Sequence, residues 1–326
     1  MDRVTVFSDD RVIEALKDFI PLAHNVHYTQ NRRVEDEPTR FFWLVVNQAG
    51  HWRRQGTMGE AGSTTQGFYA FNAAGTTYGA MNNRSVERVL NLIAEAKREF
   101  EADPPERIDL GDGPIAPVRP RPPDGGSIAR LYSRIDPFPE GAPSQNRFIG
   151  RDHLWIAREE VESLARGDFP RTLAARLVRF QLFDNVRGEP DPWSPDQVRL
   201  ADFSARAERR GDEVFVTVEG RFKMERPRSE EGRGGLPDTG YEGTLTGETR
   251  IDPRDARILE MRWLAEGEAW GRGRYTGRPP EGRFPLKIAI VEADDDIARR
   301  IPPQGLIWGR GEYFNPRMTV WDRRPE

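Results

Sequence analysis

Several stretches of the sequence gather side chains able to do chemistry. The richest is Asp184-Asn185-Val186-Arg187-Gly188-Glu189-Pro190-Asp191-Pro192-Trp193. Its carboxylates, guanidinium and indole share one irregular segment after a predicted helix, and loops held by rigid elements are where sites concentrate. Among Asp184, Arg187 and Glu189, two carboxylates divide acid and base roles if burial raises one pKa and the arginine lowers the other. The plainer alternative is a turn: Asp184 or Asn185 caps local backbone and Arg187 pairs with Glu189, since Asp, Asn, Gly and Pro are default turn formers. A second stretch, Glu268-Ala269-Trp270-Gly271-Arg272-Gly273-Arg274-Tyr275, sets glycines around Arg272 where an anion could approach the backbone. It carries no phosphate-loop lysine, and a lone Gly-x-Gly also fits a strand-end bulge. Asn185, Trp193, Trp270, Arg272 and Tyr275 are the expected ligand contacts if the two stretches meet, because aromatic walls with a few polar groups make pockets.

Histidine offers less. His24 and His27 lie three apart on a predicted strand, so they point to opposite faces and do not converge on a metal without a bulge. His51 and His153 have no sequence link to them. At Phe7-Ser8-Asp9-Asp10-Arg11 a helix begins. Helix N-termini attract anions, but Asp9 and Asp10 oppose that and read as caps. No Ser/His/Asp arrangement or Walker-type loop is present, and no cofactor is expected.

Those residues sit in a chain of 326 with a net charge of −4, 37 % hydrophobic and 31 % charged. That length suits two domains with modest cores and a well-solvated surface. Arginine is spread along the whole chain, so no basic stripe marks a nucleic-acid partner. No apolar run is long enough to span a membrane. The N-terminus lacks a signal-peptide pattern, which leaves open a cytoplasmic protein or an exported one freed of its leader. The chain has 0 cysteines, which removes disulfides, thiolate metal sites and every thiol mechanism.

The predicted order over residues 1–100 is β-α-β-α-β-β-α. Arg3–Phe7 is β-prone. Asp9 or Asp10 caps a helix bearing Val12, Ile13, Leu16, Phe19 and Ile20, ended by Pro21. A strand over Leu22–Tyr28 follows, then a buried helix over Thr39–Gln48 behind Pro38, with a strand as its alternative. A glycine-punctuated loop leads into a hairpin: Gly67–Asn72, a turn with Gly75 at positive φ, and Thr76–Met81. Ser85 then caps a helix whose buried face is Val86, Val89, Leu90, Ile93 and Phe100.

This order, with the segment Ser63-Thr64-Thr65-Gln66-Gly67-Phe68-Tyr69-Ala70-Phe71-Asn72-Ala73-Ala74-Gly75 entering the hairpin, resembles a thioredoxin-like domain. Two departures stand out. The tip where redox members carry Cys-x-x-Cys reads Phe7-Ser8-Asp9-Asp10-Arg11-Val12, and the proline usual before the third strand is replaced by Thr64-Thr65-Gln66. The resemblance therefore implies the fold without disulfide exchange. Taken whole, the chain also resembles a two-domain bacterial protein family, to which the resemblance attaches no activity.

Residues 101–127 are rich in Pro and Gly, notably Pro117-Val118-Arg119-Pro120-Arg121-Pro122-Pro123. They read as a semi-rigid linker, or else as a ligand for a polyproline-binding partner. Residues 128–326 read as a β-rich domain. A strand over Ile128–Ile135 is followed by helices over Ala157–Gly167 and Pro170–Phe183. In the second helix Leu173, Leu177 and Phe180 share a face flanked by Arg171, Arg176 and Arg179. Five alternating runs follow: Val198–Arg209, Glu213–Glu225, Tyr241–Ile251, Ile258–Trp270 and Phe284–Val291. They predict an antiparallel meander, half-barrel or sandwich, backed by the two helices. Arg226–Thr239 is a charged excursion, and the C-terminal aromatics Trp308, Tyr313, Phe314 and Trp321 are expected against the first domain. Two functions follow from this: a non-redox binding or scaffold protein recognising a protein partner or a small ligand, or an acid/base hydrolase or isomerase using the 184–193 and 268–275 segments.

Overall fold

A computed structural model describes residues 6–7, 9–22, 37–49, 67–83, 85–104, 121–228, 237–273, 275–276, 278–293, 295, 298–299 and 301–322. The chain divides into two compact units, Asp2–Ile115 and Ala116–Glu326.

In the first unit α1 spans Asp10–Ala15, and the Asp9 side chain caps it by accepting from the Arg11 backbone N–H at 2.9 Å. The helix gives way to a 3-10 turn at Leu16–Asp18, before Pro21 is reached. Of the expected face Val12 is buried, whereas Ile13 and Ile20 are exposed. Helix α2 covers Glu37–Gln48, so Pro38 sits within its first turn instead of before it, where proline lacks no needed donor. It is half-buried: Val45 and Val46 point inward, and Trp43 and Leu44 face out. The hairpin forms as β1 (Phe68–Phe71) and β2 (Thr77–Met81), with Gly75 at φ 83° and the Asn72 Oδ1 accepting from the Thr76 N–H at 3.0 Å. Helix α3 spans Val86–Ala102. Ser85 makes no side-chain cap bond; instead Asn83 accepts from the Ser85 N–H at 2.8 Å. Its buried face is Val89, Ile93 and Ala96, while Phe100 is exposed against Tyr78. Val6 and Phe7 form a turn. The expected strands at 3–7 and 22–28 otherwise lie outside the described residues, as does most of the proline-rich segment.

The second unit is one seven-stranded antiparallel sheet, which excludes the sandwich alternative. Its strands are β3 (Ser127–Ile135), β4 (Gly150–Ile156), β6 (Val198–Arg210), β7 (Glu213–Arg226), β8 (Thr239–Asp252), β9 (Arg257–Trp270) and β11 (Arg283–Glu292). Their order is β4-β3-β11-β9-β8-β7-β6. The five alternating runs are the meander, because two-residue periodicity over long strands fixes one wet and one dry face. β4 was not expected; it pairs with β3 and forms the edge of the sheet beyond it. A separate two-stranded ribbon joins β5 (Gly188–Glu189) to β10 (Tyr275–Thr276).

Helices α4 (Arg158–Ala165) and α5 (Arg171–Phe180) cover the dry face, α4 touching β6, β7 and β9. On β7 the residues Val214, Val216, Val218, Phe222 and Met224 point into this core. Phe169, between the helices, packs on both Phe203 of β6 and Trp263 of β9, with ring centroids 5.2 and 5.8 Å away. Two strands separate β6 from β9, about 14 Å on a flat sheet. The rings meet because glycine stands beside each aromatic: Gly220 faces Phe203 and Gly247 faces Trp263. The C-terminal aromatics correct another expectation. Tyr313 is 0 % exposed and packs on Ile128, Trp155 and Phe180, and Trp321 joins the main core, so both belong to this second unit.

Candidate functional site

The two chemistry-bearing stretches are brought together. In the β5–β10 ribbon Tyr275 faces Glu189 and Thr276 faces Gly188. The Arg187 Nη2 donates to the Gly271 carbonyl at 3.3 Å, tying the acidic loop to the end of β9. Phe183, Asp184, Trp193 and Phe284 complete a shared wall with Trp270 and Arg272.

Within that wall Asp184 and Arg187 are engaged with each other. The Arg187 side chain is 1 % exposed and Asp184 11 %. The Arg187 Nε donates to the Asp184 Oδ2 at 2.8 Å, and its Nη2 donates to the same oxygen. The Asp184 Oδ1 accepts from the Val186 N–H at 3.0 Å, which closes an Asx-type turn. The guanidinium also lies 5.4 Å from the Phe284 ring centroid. Arg187 therefore pairs with Asp184, and the Glu189 side chain lies outside the described residues.

The other expected contacts are placed as follows. Trp193 is a core residue whose Nε1 donates to the Leu182 carbonyl at 3.1 Å. Trp270 packs over Gly240, where a Cβ would come within 2.1 Å of the ring, and the Arg283 guanidinium lies 4.2 Å from its centroid. Arg272 contributes its backbone: its N–H donates to the Thr239 Oγ1 at 3.1 Å and its carbonyl accepts from that hydroxyl at 2.9 Å. Asn185 turns its Oδ1 toward Gly150, at a spot where a Cβ would lie 2.0 Å away. Among the described residues that buried oxygen has no hydrogen-bond partner. The Tyr275 side chain lies outside the described residues. Tyr241 lines the same wall; burial pushes its phenol well above the usual range, so it stays a neutral donor to the Leu286 carbonyl at 3.0 Å.

The space these residues leave is a cavity of about 30 Å³. That admits a water or two. Pockets for metabolite-sized ligands run to roughly 300–1,000 Å³.

His24, His27 and His51 lie outside the described residues, and His153 is buried on β4. Among the described residues no His, Cys, Asp and Glu group is arranged to hold a metal ion. At the N-terminal tip Asp9 binds Arg11, which reaches Glu87 at 2.8 Å.

The strongest polar node was not singled out in the sequence. Arg176, expected to flank the apolar face of α5, is 0 % exposed. Its Nη1 and Nη2 each donate to Glu160 at 2.8 Å, and its remaining donors reach the carbonyls of Tyr313, Trp155 and Phe314. Glu160 also accepts from the Ala157 N–H at 2.9 Å and the Thr172 hydroxyl at 2.5 Å. Arg179, three residues on, bonds the Trp193 carbonyl at 2.9 Å and pairs with Glu312. The only sequence signal was the Arg176/Arg179 spacing beside an apolar stripe, which is equally that of a solvated flank.

The chain matches no protein-family model, and no curated protein or solved structure matches it.

Proposed function

We propose that this chain is a non-redox binding or scaffold protein that recognises a protein partner. The observation that carries this is the state of Asp184 and Arg187. Their charges satisfy each other, Val186 and Gly271, and the cavity beside them has room for about a water or two. A general acid or base must reach its substrate within hydrogen-bond distance. Asp184, paired and walled in, is poorly placed for that. The dry face of the sheet is occupied by α4 and α5, so recognition falls to outer surfaces. The proposal includes a thioredoxin-like first unit used for contact and not for exchange, since exchange requires a thiolate and the chain has 0 cysteines.

The test sets this against the hydrolase or isomerase alternative. Wild type and Asp184→Asn are assayed on p-nitrophenyl esters, phosphates and glycosides, with melting curves alongside. The expected result is no turnover above buffer for either protein and a lower melting temperature for the variant. Turnover by wild type that disappears in a variant with an unchanged melt would overturn the reading.

A further inference from the structure

Most arginines of the sheet are paired. On β7, β8, β9 and β11 each of them, from Arg221 to Arg283, has a carboxylate within 4.0 Å. The corner made by β3 and β4 departs from this. Arg134 on β3 and Arg151 on β4 are exposed, and among the described residues neither has a carboxylate within 4.0 Å. Both stand on the sheet face turned away from the main core, to which the alternate residues Leu131 and Ile135 belong. Tyr132 faces Arg151 across the ladder and Arg134 is two residues further along, so the two guanidiniums start from diagonal positions roughly 7–8 Å apart. Arg147 is a third: it is exposed, ends a 3-10 turn that touches β3, and holds its guanidinium 4.1 Å from the Phe138 ring centroid. It too has no carboxylate within 4.0 Å among the described residues. Tyr132 is half-buried and Ile149, two residues before Arg151, is 39 % exposed. This end of the face is open, because Ala293, Ala298 and Leu306 pack on Ile128 and Trp155 at the opposite ends of β3 and β4.

We infer that this corner docks an extended acidic segment of a protein partner, with carboxylates two residues apart and apolar side chains beside them. This rests on the binding reading above and names the partner's chemistry. A guanidinium presents a planar fork of donors that a carboxylate meets with two bonds, so exposed arginines without acids of their own call for carboxylates from outside. In an extended chain residues i and i+2 share a face about 7 Å apart, close to the spacing of Arg134 and Arg151. Tyr132 and Ile149 supply the apolar contact, and arginine with tyrosine is the usual makeup of an interface anchor. The positive side of the corner is reinforced by Lys287, which faces Arg134 on β11 and is bonded to Asp136 at 3.1 Å. A nucleic-acid backbone is held by a longer row, about 6–10 phosphate contacts. Three guanidiniums set around apolar side chains fit the shorter, mixed ligand.

The test is fluorescence anisotropy of a fluorescein-labelled random Glu/Tyr copolymer titrated with the full chain, with circular dichroism as the fold check. Wild type is expected to bind it at micromolar concentration and to lose affinity as salt is raised. The double variant Arg134→Glu/Arg151→Glu is expected to bind at least about tenfold more weakly, since two attractions become repulsions. Arg206→Glu changes an exposed arginine on β6, at the other edge of the sheet, and is expected to leave the titration unchanged. A wild type that does not bind the copolymer overturns the inference, as does binding that the double variant and Arg206→Glu alter equally. An oligo-dT strand or a phosphatidylserine vesicle bound more tightly than the copolymer through the same two arginines overturns the choice of a peptide. None of these outcomes touches the binding reading, which falls only to turnover dependent on Asp184.

Discussion

Arg176 and Glu160 meet in a two-pronged ion pair whose side chains are 1 % and 7 % exposed, with both N–O distances at 2.8 Å. The pair joins α4 to α5, and through the Tyr313 and Phe314 carbonyls it fastens the short helix α6 (Arg310–Phe314). Every N–H of the guanidinium has a partner, which is the condition for a buried arginine to be tolerated. Arg176→Met leaves Glu160 buried without its cation and is expected to cost about 3–5 kcal/mol. The double variant Arg176→Met/Glu160→Gln removes both charges and is expected to cost about 0.5–3 kcal/mol less than the sum of the single changes. Urea unfolding of the three variants measures this.

Trp263 leans over Gly247, where a Cβ would stand 2.4 Å from the indole Cδ1 and 2.5 Å from the Arg262 carbonyl. The same device recurs at Gly220, whose Cβ would come within 2.2 Å of Phe203. Gly247→Ala and Gly220→Ala are each expected to cost about 1–3 kcal/mol by overpacking. The exposed Thr246→Ala on the same strand is expected to stay within about 0.5 kcal/mol. Equal effects at all three positions would show that the glycines have no packing role.

Asp252 closes the turn between β8 and β9. Side-chain bonds from Arg254, at 2.7 and 2.9 Å, and the Arg254 backbone N–H at 3.1 Å lower its pKa to about 2. An unfolded aspartate titrates near 3.9. Between those values the native chain binds fewer protons than the unfolded one, so stability falls as the pH drops. The contribution is fully present above about pH 4 and is lost as the pH falls through about 2. Asp252→Asn is expected to flatten the acid limb of a melting-temperature profile and to leave its slope at neutral pH unchanged. An unaltered acid limb would remove Asp252 from the acid response.

The second unit was legible to within a few residues because long alternating runs, such as Glu213–Arg226, leave no other period to choose. β4 was missed because Leu154, Trp155 and Ile156 are buried on both faces, which abolishes alternation. The pairing of β3 with β11 joins residues far apart in sequence, and no local pattern encodes it. In the first unit the rhythm of α3 was readable, yet Phe100 was placed on the buried face because periodicity does not say where the covering elements stop. At the site, the meeting of the 184–193 and 268–275 segments followed from their shared chemistry. What the sequence could not show was burial. Asp184 and Arg187 have the composition of an active loop, and only their 11 % and 1 % exposure shows that the charges are spent on each other. Arg176 shows the converse, a residue that reads as solvated flank and is among the most deeply buried.

The most direct measurement is the equilibrium stability of Arg187→Ala against wild type, by urea unfolding at neutral pH. Arg187 is 1 % exposed and holds Asp184 and the Gly271 carbonyl together. As a structural clamp, its removal strands a buried carboxylate and should cost about 3–5 kcal/mol. The melting temperature should fall by many degrees, and inorganic phosphate or small carboxylates should shift neither protein's melt. A loss of only about 0–1 kcal/mol, the range of an exposed pair, together with an anion-induced melt shift in wild type that vanishes in the variant, would contradict the account and make this loop a ligand site.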